Sequence, residues 1–169
     1  MMRNFLLIIA VLLAITSPWW GFVISKKTPL EIAVIDVSST DKELKERRGI
    51  YEALQLEKVV QSNGQTYEAD LDYFGVKVVD ARKDILYHDL TLRIDNTDVI
   101  YLADLYGIKE EALTWTTEPS DKVLYGGLTG SDWRVIESRI AQKTPSMLIV
   151  EYNSFTETTE QTVREQLAD

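Results

Sequence analysis

Asp36, Asp104 and Glu151 each close a run of apolar residues: Ile32 to Ile35 precede the first, Val99 to Ala103 the second, and Leu148 to Val150 the third. Carboxylates gathered in one crevice could hold a divalent cation through hard oxygen ligands, bind a cationic ligand, or divide acid and base roles in cleaving a glycosidic bond. The same acids could instead cap following helices or pair with Arg47, Arg48 or Arg164, a purely structural use. Their spacing does not specify a metal, and no residue pattern calls for a cofactor.

Composition closes off other chemistries. The 169 residues include no cysteine and a single histidine, His88. Thiolate zinc sites, disulfides and cysteine nucleophiles are therefore excluded. A Ser-His-Asp triad would have to use His88, which lies between Tyr87 and Asp89 on a segment that reads as surface. Ser154 follows a strand, but Tyr152-Asn153-Ser154-Phe155-Thr156 lacks the flanking glycines of a nucleophile elbow. Gly126-Gly127 belongs to no phosphate-loop pattern; it either presents backbone N–H groups at a helix N-terminus as a general anion site or makes a tight turn. A net charge of −9 and a pI of about 4.7 argue against nucleic acid, whose binding needs clustered Lys and Arg.

The elements that must position these residues alternate between strand and helix. Leu30 to Val37 is apolar and β-branched and reads as a first strand. Ser38-Ser39-Thr40-Asp41 offers N-cap oxygens to a helix with Leu44, Arg47, Ile50, Tyr51 and Leu54 at three- and four-residue spacings. Gly49 inside that helix predicts either a close packing contact or a break. Lys58 to Asp72 is polar, with a turn at Ser62-Asn63-Gly64-Gln65 and room for a short edge hairpin. Phe74 to Asp80 reads as a second strand; Leu90 to Ile94 fits either a one-sided strand or a short helix.

Val99 to Ala103 is too short for a helix and reads as a strand buried on both faces. Glu110 to Ser120 reads as a loop or short helix, with Trp115 needing cover. Thr129 or Ser131 can cap a helix from Asp132 to Ala141 with Trp133, Ile136 and Ile140 on one face. Met147 to Val150 reads as a further buried strand, and Thr158 or Thr159 opens a last amphipathic helix. This alternation predicts an α/β fold: a mostly parallel sheet with helices on both faces, Rossmann-like. Parallel strands would set the three acids along one edge, where sites form in open α/β sheets.

The first 27 residues form a separate unit. Phe5 to Ile24 carries no charge and lies between Arg3 and Lys26-Lys27. Twenty residues at 1.5 Å each match a bilayer core. A cleaved signal peptide would use Phe5 to Ile15, but Pro18-Trp19-Trp20 is awkward beside a cleavage site. An uncleaved anchor uses the whole run and sets both indoles at the interface. The expectation is one N-terminal transmembrane helix through residues 5–24, a cytoplasmic N-terminus, and residues 28–169 as an extracytoplasmic domain at the cell membrane.

Tyr125-Gly126-Gly127, followed by a helix and the strand Leu148 to Glu151, resembles the class I glutamine amidotransferase-like fold. In that fold a glycine pair precedes a helix whose next strand delivers the catalytic cysteine. Here the strand continues as Glu151-Tyr152-Asn153-Ser154, so the family's cysteine, histidine and glutamate roles transfer to no residue. Asp98 to Gly107, Tyr125 to Trp133 and Leu148 to Phe155 resemble segments of an uncharacterised group of bacterial membrane-anchored proteins with such a non-catalytic domain. Members of that group run on beyond this point, and a sheet ending at Asp169 would be short of strands, so the resemblance implies either the N-terminal part of a longer design or a minimal version.

These readings give a first expectation of a non-enzymatic, membrane-anchored domain that binds a protein partner or envelope polysaccharide at the strand-end crevice, with Asp36, Asp104, Glu151, Gly126 and Gly127 as the ligand-binding residues. The alternative is an envelope saccharide hydrolase that uses the three acids, with or without a metal. A third is a subunit stabilised by another membrane protein, which an exposed apolar patch around Trp115 and Trp133 would favour.

Overall fold

The computed structural model of the chain describes residues 2–37, 45–79, 84–88, 90, 94–113, 115 and 120–168. Helix α1 (Met2–Ile24) is followed by strands β1 (Thr28–Pro29) and β2 (Ile32–Asp36), helix α2 (Lys45–Leu56), and strands β3 (Val59–Val60), β4 (Phe74–Val79), β5 (Asp84–His88) and β6 (Val99–Leu102). Then come β7 (Ile108–Lys109), β8 (Val123–Tyr125), α3 (Gly130–Ile140), β9 (Met147–Val150) and α4 (Gln161–Ala168). Short 3-10 turns occupy Glu110–Ala112 and Tyr152–Phe155.

The main sheet has the order β5-β4-β2-β6-β9, with β4, β2, β6 and β9 parallel and β5 antiparallel at one edge. The fold is therefore α/β, with helices packed on both sides. On one side Val34 packs with Tyr51, Tyr67 and Tyr73, joined by Ile50 and Leu54 of α2. On the other, Ala33, Ile35, Ile100 and Leu102 pack with Trp133 and Ile136 of α3 and Val163 of α4. Full burial of each such aliphatic side chain contributes about 1.5–3 kcal/mol, so β2, central and covered on both faces, anchors the domain.

Strand β6 differs from expectation. Ile100 and Leu102 are buried, but Val99 and Tyr101 on the α2 side are only half-buried. Strand β9 departs further: Met147 and Ile149 are 58% and 40% exposed. It is an edge strand, and among the described residues no helix covers that part of the α2 side. Trp133, in contrast, belongs to the main core and the half-buried Trp115 packs against it, so neither stands out as the exposed patch a partner membrane protein would cover.

The tyrosines beneath α2 have polar tips that need partners when buried. The Tyr51 hydroxyl donates to the Asp72 carbonyl (2.6 Å), and that of Tyr73 to Val76 (3.2 Å). Tyr67 does more: it donates to the Leu30 carbonyl (2.7 Å) and accepts from the Ile32 N–H (2.9 Å). This pins the chain just where it enters β2.

Helix α1 is long and apolar enough to cross a membrane. Its internal proline would leave the Ala14 carbonyl without a donor, because Pro18 has no N–H. The Ser17 hydroxyl fills that gap, donating to Ala14 at 2.8 Å, and Thr16 donates to Leu12 at 2.7 Å. Satisfying backbone groups within the helix is what a lipid environment demands. At its C-terminal end the Lys58 ammonium donates to the carbonyls of Phe22, Val23 and Ser25 and lies 4.4 Å from the Phe22 ring centre. A cation there complements the negative end of the helix dipole. Residue 58 holds a left-handed φ of 54°, and its carbonyl accepts from the Thr28 N–H (3.0 Å). The β1–β3 pairing, Thr28 with Val59 and Pro29 with Val60, continues the tie.

Other local expectations have mixed outcomes. The turn at residues 61–65 is present, closed by Gln61 N–H to Gln65 and Gly64 N–H to Gln61, and Val60 bridges Thr66. Gly49 neither breaks α2 nor packs closely, since a Cβ there would meet nothing within 4 Å. A Gly49→Ala variant should therefore be more stable by about 0.5–1 kcal/mol, read as a higher urea midpoint with an unchanged slope. In α3, Ile140 is 39% exposed and Arg139 is buried instead, donating to the carbonyls of Thr144 (3.0 Å) and Pro145 (3.5 Å). The Thr158 and Thr159 hydroxyls turn back to Leu105 and Ser154. The N-cap segment 38–41, Asp80, residues 91–93 and the side chains of Arg47 and His88 lie outside the described residues.

Candidate functional site

Chain order reverses beside β2: the next parallel strand, β4, lies on one side of it and the one after, β6, on the other. In open α/β sheets, ligands bind outside the carboxyl ends of the strands at such a switch point. Two backbone bonds extend the β2–β6 ladder to that edge, Ala103 N–H to Ile35 (2.9 Å) and Val37 N–H to Asp104 (2.9 Å). The chain thus leaves both strands with Asp36 opposite Ala103 and Asp104 opposite Val37, one residue apart along the edge.

A concavity of about 80 Å3 opens there on the α2 side, lined by Asp36, Asp104, Glu151, Tyr101, Ile50 and their neighbours. No Lys, Arg or His is among the described residues lining it. Glu151 follows β9, and its N–H bonds to Leu102 (2.9 Å). Its carboxylate accepts from the Tyr101 hydroxyl. Asp104 accepts from the Asn153 side-chain amide, and Asp36 is buried at the end of β2. Neither Asp104 nor Glu151 is held by an arginine: among the described residues Arg48 pairs with Glu52 at 3.9 Å on exposed α2, and Arg164 sits on α4.

The sequence indicated three acids at one edge, and the structure brings them to one concavity. It did not indicate Tyr101 or Asn153. Tyr101 could be foreseen only from alternation along β6, and Asn153 belongs to a 3-10 turn whose direction no local pattern fixes. Among the described residues, no group of three or more His, Cys, Asp or Glu stands close enough to hold a metal ion.

Gly126 and Gly127 do other work. A Cβ on Gly126 would lie 2.5 Å from the Gly107 Cα, and one on Gly127 would lie 2.0 Å from the Thr158 carbonyl oxygen. Gly127 also has a left-handed φ of 69°. Its N–H donates to the Leu105 carbonyl at 2.7 Å. The donors at the start of α3 are likewise engaged: Leu128 N–H by Thr159, Thr129 N–H by Asp132, Gly130 N–H by Glu160, and Asp132 N–H by Thr129. The last of these and the Thr129–Asp132 bond make a capping box. The pair thus serves close packing and a tight turn, and the donors around it serve the chain itself.

Gly127 lines a second concavity of about 110 Å3, on the α3 side of the same edge, together with Tyr87, Tyr125, Asp132 and Gly75. Val37 is in its wall and Asp36 in that of the first, so the two lie on opposite sides of the β2 terminus. Ser154 enters neither: it is fully buried, and its hydroxyl donates to the Ala103 carbonyl at 3.2 Å.

No protein-family model matches the chain, and no curated protein or solved structure is similar to it.

Proposed function

We propose that the chain is a membrane-anchored, extracytoplasmic and non-enzymatic α/β domain that binds a cationic group of a protein partner or envelope polymer at the C-terminal edge of its sheet. The observation that carries this reading is the concavity at the β2–β6 switch point, whose lining brings Asp36, Asp104 and Glu151 together. Acidic side chains gathered in a partly enclosed cleft raise the local concentration of cations. Helix α1, with its hydroxyls satisfying the backbone around Pro18, supports an uncleaved anchor. The reversal of strand order beside β2 supports the finer description as Rossmann-like, while the glutamine amidotransferase-like reading rests on the sequence segments alone.

Hydrolysis has less support. A glycosidase pair needs an open cleft with carboxyl groups about 5–9.5 Å apart, and ligand pockets usually hold about 300–1,000 Å3. This concavity is smaller, and Glu151 and Asp104 are each engaged by a neutral donor that leaves no obvious proton relay.

A thermal-shift series on the chain in maltoside micelles tests the proposal, with divalent cations and amino-bearing saccharide fragments as probes. Binding to the folded state raises the midpoint by mass action. Glu151→Gln should move the unliganded midpoint by less than about 4 °C, since the amide oxygen still accepts from Tyr101 and 1 kcal/mol corresponds to about 2–4 °C at this size. Any ligand-induced rise should disappear in Glu151→Gln and Asp104→Asn. A rise that survives in both variants would place the ligand elsewhere.

A further inference from the structure

The concavity on the α3 side has a chemistry unlike that of the acidic one. Its walls include Tyr87 and Tyr125, whose rings lie 5.0 Å apart and are inclined at 53°. Ile35, Val37, Leu90 and Leu128 supply apolar lining, and the Asp132 carboxylate, one oxygen of which accepts from Thr129, lines the concavity as well. Among the described residues that line it there is no Lys, Arg or His. Tyr87 is 59% exposed, which is costly surface for an aromatic ring with no task.

Two tyrosine rings, apolar lining and one carboxylate suit a particular kind of cation. A primary ammonium is strongly hydrated and needs hydrogen-bond acceptors, which apolar side chains do not give. A quaternary ammonium spreads its charge over methyl groups, which bury favourably against aliphatic carbon while the ring quadrupoles attract the charge. Size agrees: an engineered cavity of about 150 Å3 takes a benzene ring, and about 110 Å3 accommodates the smaller trimethylammonium group.

We infer that the pocket between β5, β8 and the start of α3 is a binding site for a methylated, quaternary ammonium group, with Tyr87 and Tyr125 as its aromatic walls and Asp132 as its counter-charge. The inference is independent of the acidic crevice. Such a group is carried by free solutes of the choline and betaine class and by phosphocholine headgroups, and both present the same trimethylammonium face.

The test is calorimetric titration of the full chain in maltoside micelles, free of choline detergents, with choline chloride and with 3,3-dimethylbutan-1-ol. The alcohol has the same shape without the charge. Choline should bind about 3- to 30-fold more tightly, the ratio expected from an aromatic–cation attraction. Tyr87→Leu keeps apolar cover and removes the ring, and should abolish that preference while circular dichroism stays unchanged. Glu151→Gln should leave choline binding unaltered, which separates this site from the acidic crevice. Displacement of choline by phosphocholine would assign the site to headgroup-bearing molecules; choline binding without displacement would assign it to a free solute. Equal affinity for choline and the alcohol, no saturation by choline, or an unchanged preference in Tyr87→Leu would overturn the inference.

Discussion

Gly75→Ala is expected to cost more than about 4 kcal/mol and to leave little folded protein. Large losses of this size come from a short set of causes, and backbone collision is one. A Cβ at position 75 would stand 1.8 Å from the Asp36 carbonyl oxygen and 2.8 Å from its carbon, at a φ of +143° that side chains rarely adopt. Neither obstacle is the end of a flexible side chain. Relief requires β4 to move off β2, yet their ladder pairs only Ile35 with Phe74 and Asp36 with Gly75. The β4–β5 hairpin would come away with it. Gly64→Ala is the control: its φ is also positive, at +84°, but nothing lies within 4 Å, so only the left-handed penalty of about 1–2 kcal/mol applies. Urea midpoints of the two variants should differ widely, and similar midpoints would show that the strands adjust to each other more easily than their backbone contact implies.

The second large effect concerns Tyr67. Removing its hydroxyl strands the Ile32 N–H and the Leu30 carbonyl at the entry to the central strand, and each unsatisfied group costs about 1–3 kcal/mol. Tyr67→Phe should therefore lower the thermal midpoint by several degrees. The same residue makes stability depend on alkaline pH. Burial, helped by the negative charges of Glu31, Asp72 and Asp98 and opposed by the Ile32 N–H, pushes the phenol up to about 12 from its usual 10. The unfolded chain therefore ionises first as pH rises. Stability from the neutral phenol is fully present below pH 10 and is lost between pH 10 and 12, on the order of 2 kcal/mol. The stability gap between the parent chain and Tyr67→Phe should narrow over that window in urea titrations; a gap that stays constant would mean that the hydroxyl is not held neutral.

Which parts of this fold were legible in advance follows from what fixes them. The strand before Asp36 is a continuous apolar run because it lies at the middle of the sheet, covered on both sides. Helix α3 was readable because its cap is local: Thr129 and Asp132 complete their own box within four residues. The exposure of Met147 and Ile149 was not readable, since a central and an edge strand can share a composition and only strand order separates them. Burial of Arg139 escaped for a related reason: the carbonyls it bonds belong to the loop after its own helix, and no periodicity announces them. The ladders β1–β3 and β7–β8 have two or three residues per strand, too few to impose a pattern.

The site divides along the same line. Three acids at one edge followed from parallel strands, a global property inferred from alternation. The partners of Glu151 and Asp104 depend on one tyrosine's face and one turn's direction. The Tyr87 wall depends on the register that sets His88 opposite Gly75, which carries Tyr87 to the end of β2. That register is a pairing across thirteen residues, and neither strand encodes it alone.

The Lys58 tie gives the proposed anchor a mechanical meaning. From Ile24 at the end of α1 to Asp36 in the crevice is a step of 12 residues, which even fully extended spans at most about 43 Å. Because the ammonium of Lys58 grips the helix end while β1 is zipped to β3, little of that length is free to swing. In the proposed anchored form the domain would behave as a short bracket and not as a tethered float, which would keep its two pockets in a thin layer near the bilayer. In that form a ligand would have to come to that layer, and lengthening the connection between α1 and β1 would change which ligands are within reach without altering either pocket.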